Sequence, residues 1–107
     1  MDDRMVRKVL LRAADYIDRG WCRGAYAKTA TGVPCFLLSR RAAKWCVRGA
    51  IWVAASRMRE HPKAALDRAA REVPGGDLVS WNDTVATNKR QVAALLRRAA
   101  KEAQWMR

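Results

Sequence analysis

Three cysteines and a single histidine are the side chains of this sequence whose types could carry chemistry. Cys22, Cys35, Cys46 and His61 make up a Cys3His set, a ligand combination that zinc binds tetrahedrally. They are separated by 13, 11 and 15 residues, so no Cys-x-x-Cys pair holds two thiols together in advance. Free cysteines also pack as small buried hydrophobic residues. We therefore expect structural thiols, and neither a metal nor another cofactor.

Cysteine catalysis is the second chemistry that these residue types allow. Cys22 or Cys46 could act as the nucleophile, with His61 as its base. Asn82 or Asp83 could then orient the imidazole. However, apolar residues surround Cys46, and such surroundings raise a thiol pKa and make the thiolate scarce. His61 directly precedes a proline, which is typical of a linker or a helix cap, so we expect no enzymatic activity.

The distribution of charge is the most informative feature of the sequence. The formal net charge is +12, from 22 Lys and Arg against 10 Asp and Glu. Between Asp18 and Glu60 there are nine basic residues and no acidic one. Such an excess attracts nucleic acid, an acidic protein or an anionic membrane. A surface that merely keeps the protein soluble is the alternative explanation.

The segment Ser39–Arg59 is the centre of the predicted fold. From Ala42 to Ser56 every residue is apolar or small except Lys44 and Arg48. A helix that is apolar on nearly all sides belongs in the interior of a domain. Residues three and four apart share a helical face, so Arg41, Lys44 and Arg48 should form one basic stripe.

The remaining pattern predicts a single all-α domain over residues 1–107, with four helices. Asp2 or Asp3 should cap a first helix that ends at Arg19, and Ser39 should cap the central one. A long loop with several glycines joins them, and a small β-hairpin is possible there. The loop's candidate extended pieces are Ala25–Thr29 and Cys35–Leu38. The third helix is expected at Pro62–Val73, a helical turn or ordered loop at Asp77–Thr84, and the last helix from a cap at Thr87 to Met106.

Apolar residues that recur at intervals of three and four predict the inward faces of the first and last helices. The predicted face of the first helix consists of Val6, Val9, Leu10, Ala13 and Ile17. That of the last helix consists of Val92, Leu95, Leu96, Ala99, Ala103 and Met106.

Two Trp-Cys pairs indicate one internal contact. Trp21-Cys22 and Trp45-Cys46 are each followed closely by Gly-Ala, which lets two backbones approach. We interpret them as two halves of one packed contact. Trp81 begins the sequence Trp-Asn-Asp-Thr. The Asn, Asp and Thr side chains of this sequence are suited to hydrogen bonds with nearby backbone N–H groups.

These motifs also carry a resemblance. In the same order, GWCRGAYA, AAKWCVRGAI and SWNDTVATNKRQVAALLRRAA resemble a family of small uncharacterised bacterial and phage proteins. The resemblance covers most of the chain and implies a shared fold but no activity. The motif positions that it carries over are Trp21, Cys22, Gly24, Trp45, Cys46, Gly49, Ala50, Trp81, Asn82 and Asp83.

We expect no membrane segment and no small-molecule substrate. The N-terminal residues are interrupted by charges, unlike a signal peptide, so a cytoplasmic location is expected.

The favoured function is binding of nucleic-acid phosphates, with Trp21 or Tyr26 able to stack on an unpaired base. The alternative is an inhibitor or adaptor that binds an acidic protein partner. The candidate binding residues are Arg23, Lys28, Arg40, Arg41, Lys44, Arg48, Arg90, Arg97 and Lys101.

Overall fold

The first helix, α1, spans Asp3–Arg19 in a computed structural model that describes residues 2–105, except for the side chains of residues 104 and 105. The Asp2 carboxylate caps it by accepting a hydrogen bond from the N–H of Met5 at 2.8 Å. Its predicted inward face is confirmed. All of its members are buried: Val6, Val9, Leu10, Ala13 and Ile17.

A small antiparallel hairpin follows, formed by β1 (Ala27–Lys28) and β2 (Lys44–Trp45). The predicted hairpin exists, but its second strand is not Cys35–Leu38, which lies in the connection between the strands. On its other edge β2 lies beside Trp21, where the Cys22 N–H donates to the Trp45 carbonyl at 3.2 Å. The interpretation of the Trp-Cys pairs as one packed contact is thereby confirmed.

The central helix α2 spans Val47–Arg57, so the prediction that it begins after Ser39 is wrong. The backbone before it is extended because other segments take its hydrogen bonds. Trp45 donates its N–H to the Gly20 carbonyl at 3.0 Å, and Cys46 donates to the Tyr26 carbonyl at 3.2 Å. These tertiary hydrogen bonds outweigh the local preference of an Ala-rich segment for a helix.

The regular elements of the second half of the described chain are all helices or helical turns. The α3 helix spans Lys63–Ala70, shorter than the predicted Pro62–Val73, and a 3-10 turn follows at Pro74–Gly76. A single α-turn, α4 (Leu78–Ser80), continues into a π-helical turn at Trp81–Val85. The last helix, α5, spans Lys89–Trp105; Asn88 accepts from the Gln91 N–H at 3.0 Å, so Asn88 caps it instead of Thr87. The predicted end at Met106 lies outside the described residues.

The described part of the chain therefore contains five α-helices and a small hairpin, where four helices were predicted. The core is broadly all-α, with α1 packed mainly against α5 and α2. The predicted inward face of α5 is buried as far as the structure describes it: Val92, Leu95, Leu96, Ala99 and Ala103. Ala93 and Ala100, which were not predicted, are buried as well. None of the described helices is long and apolar enough to cross a membrane.

Candidate nucleic-acid interface

Lys28 and Lys44 face each other across the hairpin, where they are direct partners in the antiparallel pairing of β1 and β2. Both side chains are half-buried. Like charges placed directly opposite one another destabilise a strand pair. Their neighbours Ala27 and Trp45 are buried, so alternation along the strands places the two lysines on the outer face of the hairpin.

Cys22 lies close to this lysine pair. Burial, and to a smaller extent nearby Cys46, raises the pKa of its thiol to about 11, although the positive charges of Lys28 and Lys44 act to lower it. Both ammonium groups are therefore near enough to influence the ionisation of the Cys22 thiol. A thiol held protonated by burial is a poor nucleophile.

Two arginines extend the lysine pair along the chain. Arg40 and Arg41 are exposed in the turn that leads into β2, and the Ser39 hydroxyl accepts a hydrogen bond from the Arg41 N–H at 3.1 Å. Arg41 also lines a shallow cleft of about 400 Å³ with the loop that follows β1. Among the described residues, none of the four takes part in an ion pair. We name Lys28, Arg40, Arg41 and Lys44 the hairpin cluster.

The other predicted binding residues lie elsewhere. Arg48 is in the first turn of α2, so the prediction that Arg41, Lys44 and Arg48 share one helical face is wrong. Arg48 lines a cleft of about 500 Å³ with Trp52 and His61. Its Nε atom is buried and has no hydrogen-bond partner among the residues that the structure describes. The basic stripe is broken up because the segment before α2 is extended.

The basic residues of α5 form a separate surface. Arg97 makes ion pairs with Asp18 at 2.6 Å and with Asp15 at 3.5 Å, and these contacts tie α5 to α1. The hydrogen bond that Arg97 donates to the Asp18 carboxylate is the main reason that the pKa of Arg97 is raised. Arg90 and Lys101 are exposed beside it, along the same groove of α5.

Arg23 is engaged within the chain. Its guanidinium stacks on the Trp21 ring, 5.1 Å from the ring centre, and donates a hydrogen bond to the Ala86 carbonyl. We therefore leave it, like Arg97, out of the hairpin cluster.

Asn82 connects the chain segments that precede and follow the hairpin. It is fully buried, the one buried polar side chain in the described part of the chain. Its Oδ1 atom accepts from the Trp21 indole N–H at 2.8 Å and from the Val47 N–H at 2.9 Å. Its Nδ2 atom donates to the Cys22 carbonyl at 3.1 Å and to Asp83 at 2.9 Å. The Trp-Asn-Asp motif thus joins three distant segments.

Cys46 does not lie in the middle of a helix, as predicted, but caps α2. Its Sγ atom accepts from the Gly49 N–H at 3.2 Å. Burial raises the pKa of this thiol, which matches the expected direction although the position differs. Among residues 2–103, whose side chains the structure describes, no three His, Cys, Asp or Glu side chains come close enough to hold a metal.

An exposed apolar patch contains Tyr26, which the sequence analysis named as a candidate for base stacking, together with Val33 and Phe36, which it missed. Phe36, Val33 and Tyr26 are 69%, 56% and 46% exposed. Tyr26 and Phe36 also line an apolar cleft of about 360 Å³, which Trp52 of α2 closes on one side. Large apolar residues inside a loop with glycine and proline were the available signal, because such a loop offers them little core to enter. We name Tyr26, Val33 and Phe36 the aromatic patch.

The comparisons with known proteins concern family membership. The model of a family of unknown function, DUF6197, matches residues 1–102. Searches of curated proteins and of solved structures found no match. The match runs from the start of α1 through most of α5, and so takes in the hairpin, the Trp-Asn-Asp turn and every helix described above. This chain therefore belongs to that family of unknown function.

Proposed function

We propose that this chain is a non-enzymatic cytoplasmic protein that binds nucleic-acid phosphates through the hairpin cluster. The observation that supports the proposal most strongly is the direct pairing of Lys28 with Lys44. Because this pairing costs folding stability, its presence favours a role in which an anion neutralises both ammonium groups. Arg40 and Arg41 add two further exposed cations nearby.

The surroundings of the cluster also favour a polyanion. From residue 19 to residue 59 the sequence has no carboxylate side chain to compete for these cations. A surface that binds several phosphates releases condensed counterions, so its affinity should fall steeply as salt rises. A net charge of +12 would add long-range attraction at low ionic strength.

The first prediction concerns the lysine pair. Lys28→Glu with Lys44→Glu should abolish the binding of generic DNA and RNA that the unaltered protein displays at about 50 mM salt. Charge reversal removes two phosphate contacts and adds repulsion. A mobility shift or fluorescence anisotropy titration, repeated at several salt concentrations, measures the effect.

A matched pair of single variants is Lys44→Glu and Lys101→Glu, because each replaces one positive charge by a negative one and Lys101 is exposed on α5. Lys101 is 12 residues beyond Lys89, or about 18 Å along the helix, and Lys89 contacts the Asp18 carbonyl near the end of α1. The Lys101→Glu variant should retain most of the affinity. Equal losses for the two variants would point to net charge alone, and an unaltered protein without affinity at low salt would refute the proposal.

A protein-binding role, as an inhibitor or adaptor that contacts an acidic partner, is the second candidate. The aromatic patch favours it, because exposed apolar side chains with a basic rim are common in protein interfaces. A pull-down from nuclease-treated lysate distinguishes the two candidates. The protein-binding role would be favoured if one partner is retained without nucleic acid. That partner should be lost from the variant with Lys28→Glu and Lys44→Glu.

A further inference from the structure

We infer that the aromatic patch is a stacking platform for unpaired bases, so that the preferred ligand is single-stranded nucleic acid. This inference rests on the proposed function and specifies its substrate class. It starts from the position of the patch next to the hairpin cluster. Tyr26 is exposed in the bend directly before β1, and Lys28 is the second residue of that strand. Two residues of extended chain span at most about 7 Å, so the backbones of Tyr26 and Lys28 lie close together.

The backbone beneath the patch is held firmly. The Tyr26 carbonyl accepts a hydrogen bond from the Cys46 N–H at 3.2 Å. It also packs so closely on α2 that a Cβ atom on Gly49 would lie 2.0 Å from its oxygen. Phe36 begins a turn in which its carbonyl accepts from the Ser39 N–H at 2.9 Å, directly before Arg40 and Arg41. Both rings are thus exposed side chains on anchored backbone, which lowers the entropy lost on binding.

The chemistry of the patch matches an unpaired base better than a duplex. Aromatic rings stack on any base whose face is free, while a positively charged groove holds the backbone. In a duplex the base faces are covered by their neighbours, so only the phosphates would be available to this surface. The apolar cleft between Tyr26, Phe36 and Trp52 can accommodate a flat ring. Arg41 lines a separate cleft together with Val33 of the patch, and residues 19–59, which supply the lining of both clefts, include no carboxylate side chain.

The test compares one labelled oligonucleotide of about 12 nucleotides, within the site size of single-strand binders, alone and annealed to its complement. The single strand should bind at least tenfold more tightly than the duplex. Phe36→Ala and Tyr26→Ala should each weaken single-strand binding by a factor between about 5 and 150, the range for loss of one base–aromatic stack. Their duplex affinity should change less than about twofold, since the phosphate contacts remain.

Conservative variants and a matched control make the result specific. Tyr26→Phe and Phe36→Trp keep a ring and should retain single-strand affinity. Val85→Ala shortens another exposed apolar side chain, outside the patch, and should also leave binding unchanged. Circular dichroism checks that each variant is folded.

The outcomes separate the inference from the proposed function. If Lys28→Glu with Lys44→Glu abolishes binding while the alanine variants leave it intact, phosphate binding stands and stacking is refuted. Equal affinity for single strand and duplex would also refute stacking, while the proposed phosphate binding would stand. A dimer seen in sedimentation, and lost with Phe36→Ala, would assign the patch to a second copy of this chain and overturn the inference.

Discussion

At the scale of single residues, Asn82 has the largest consequence for the fold. All four hydrogen bonds that its amide can make are present in the buried interior. They join Trp21, Cys22 and the N-terminal N–H of α2 to the Trp-Asn-Asp turn. A buried network in which every group is satisfied specifies a unique arrangement of the segments it connects.

Asn82→Ala should therefore destabilise the protein strongly. It removes the acceptor of the buried Val47 N–H and of the half-buried Trp21 indole N–H, and a buried donor left unsatisfied costs about 1–3 kcal/mol. We expect the free energy of unfolding, measured by urea denaturation, to fall by at least about 2 kcal/mol. Asn88→Ala removes an exposed helix cap and should cost only about 1 kcal/mol. Similar losses for both variants would contradict the role of the network.

The raised pKa of Cys22 should make the stability of the protein depend on pH in the alkaline range. Burial raises its pKa in the folded state to about 11 from an ordinary value of 9.0. Between these values the unfolded chain loses the thiol proton while the folded chain keeps it, so the free energy of unfolding falls as pH rises. Below about pH 9 this contribution is fully present. Denaturation at several pH values tests it, with Cys22→Ala expected to lose less stability over the same interval.

At the scale of elements, the start of α2 decides the geometry of the candidate interface. Trp45 is held in a strand and Cys46 caps the helix, so Lys44 projects from the hairpin and Arg48 enters a different cleft. Gly49 makes this arrangement possible, because its missing side chain leaves room for the Tyr26 carbonyl. The element that presents the lysine pair thus depends on a close backbone contact.

Gly49→Ala tests that contact, because helix propensity and the steric contact predict stability changes of opposite sign. Helix propensity alone would make alanine more stabilising than glycine by about 1 kcal/mol. The added methyl group would, however, meet the Tyr26 carbonyl at 2.0 Å and force the hairpin away from α2. We expect the contact to dominate and the free energy of unfolding to fall by about 1–3 kcal/mol. An unchanged or raised stability would show that the two backbones are further apart.

At the scale of the whole molecule, the folded chain divides its positive charge into separate surfaces. Arg97 and Arg98 pair with carboxylates and help to join α5 to α1 and to the end of α3, since Arg98 lies 3.9 Å from Glu72. The hairpin cluster has no ion-pair partner among the described residues and lies beside the aromatic patch. The proposed interface therefore contains four of the nine candidate binding residues that the sequence indicated.

The sequence by itself determined the helices whose stability depends on local pattern. The apolar spacing of Val6, Val9 and Leu10, and that of Val92, Leu95 and Leu96, identified α1 and α5, because helical periodicity shows directly in the residue order. The Trp-Cys pairs likewise indicated their mutual contact. Only the tertiary structure decided where α2 begins. Hydrogen bonds from Trp45 and Cys46 to residues about twenty positions earlier hold that segment extended, and local propensity cannot register such distant partners. The pairing of Lys28 with Lys44 has the same origin, since a strand register depends on the partner strand.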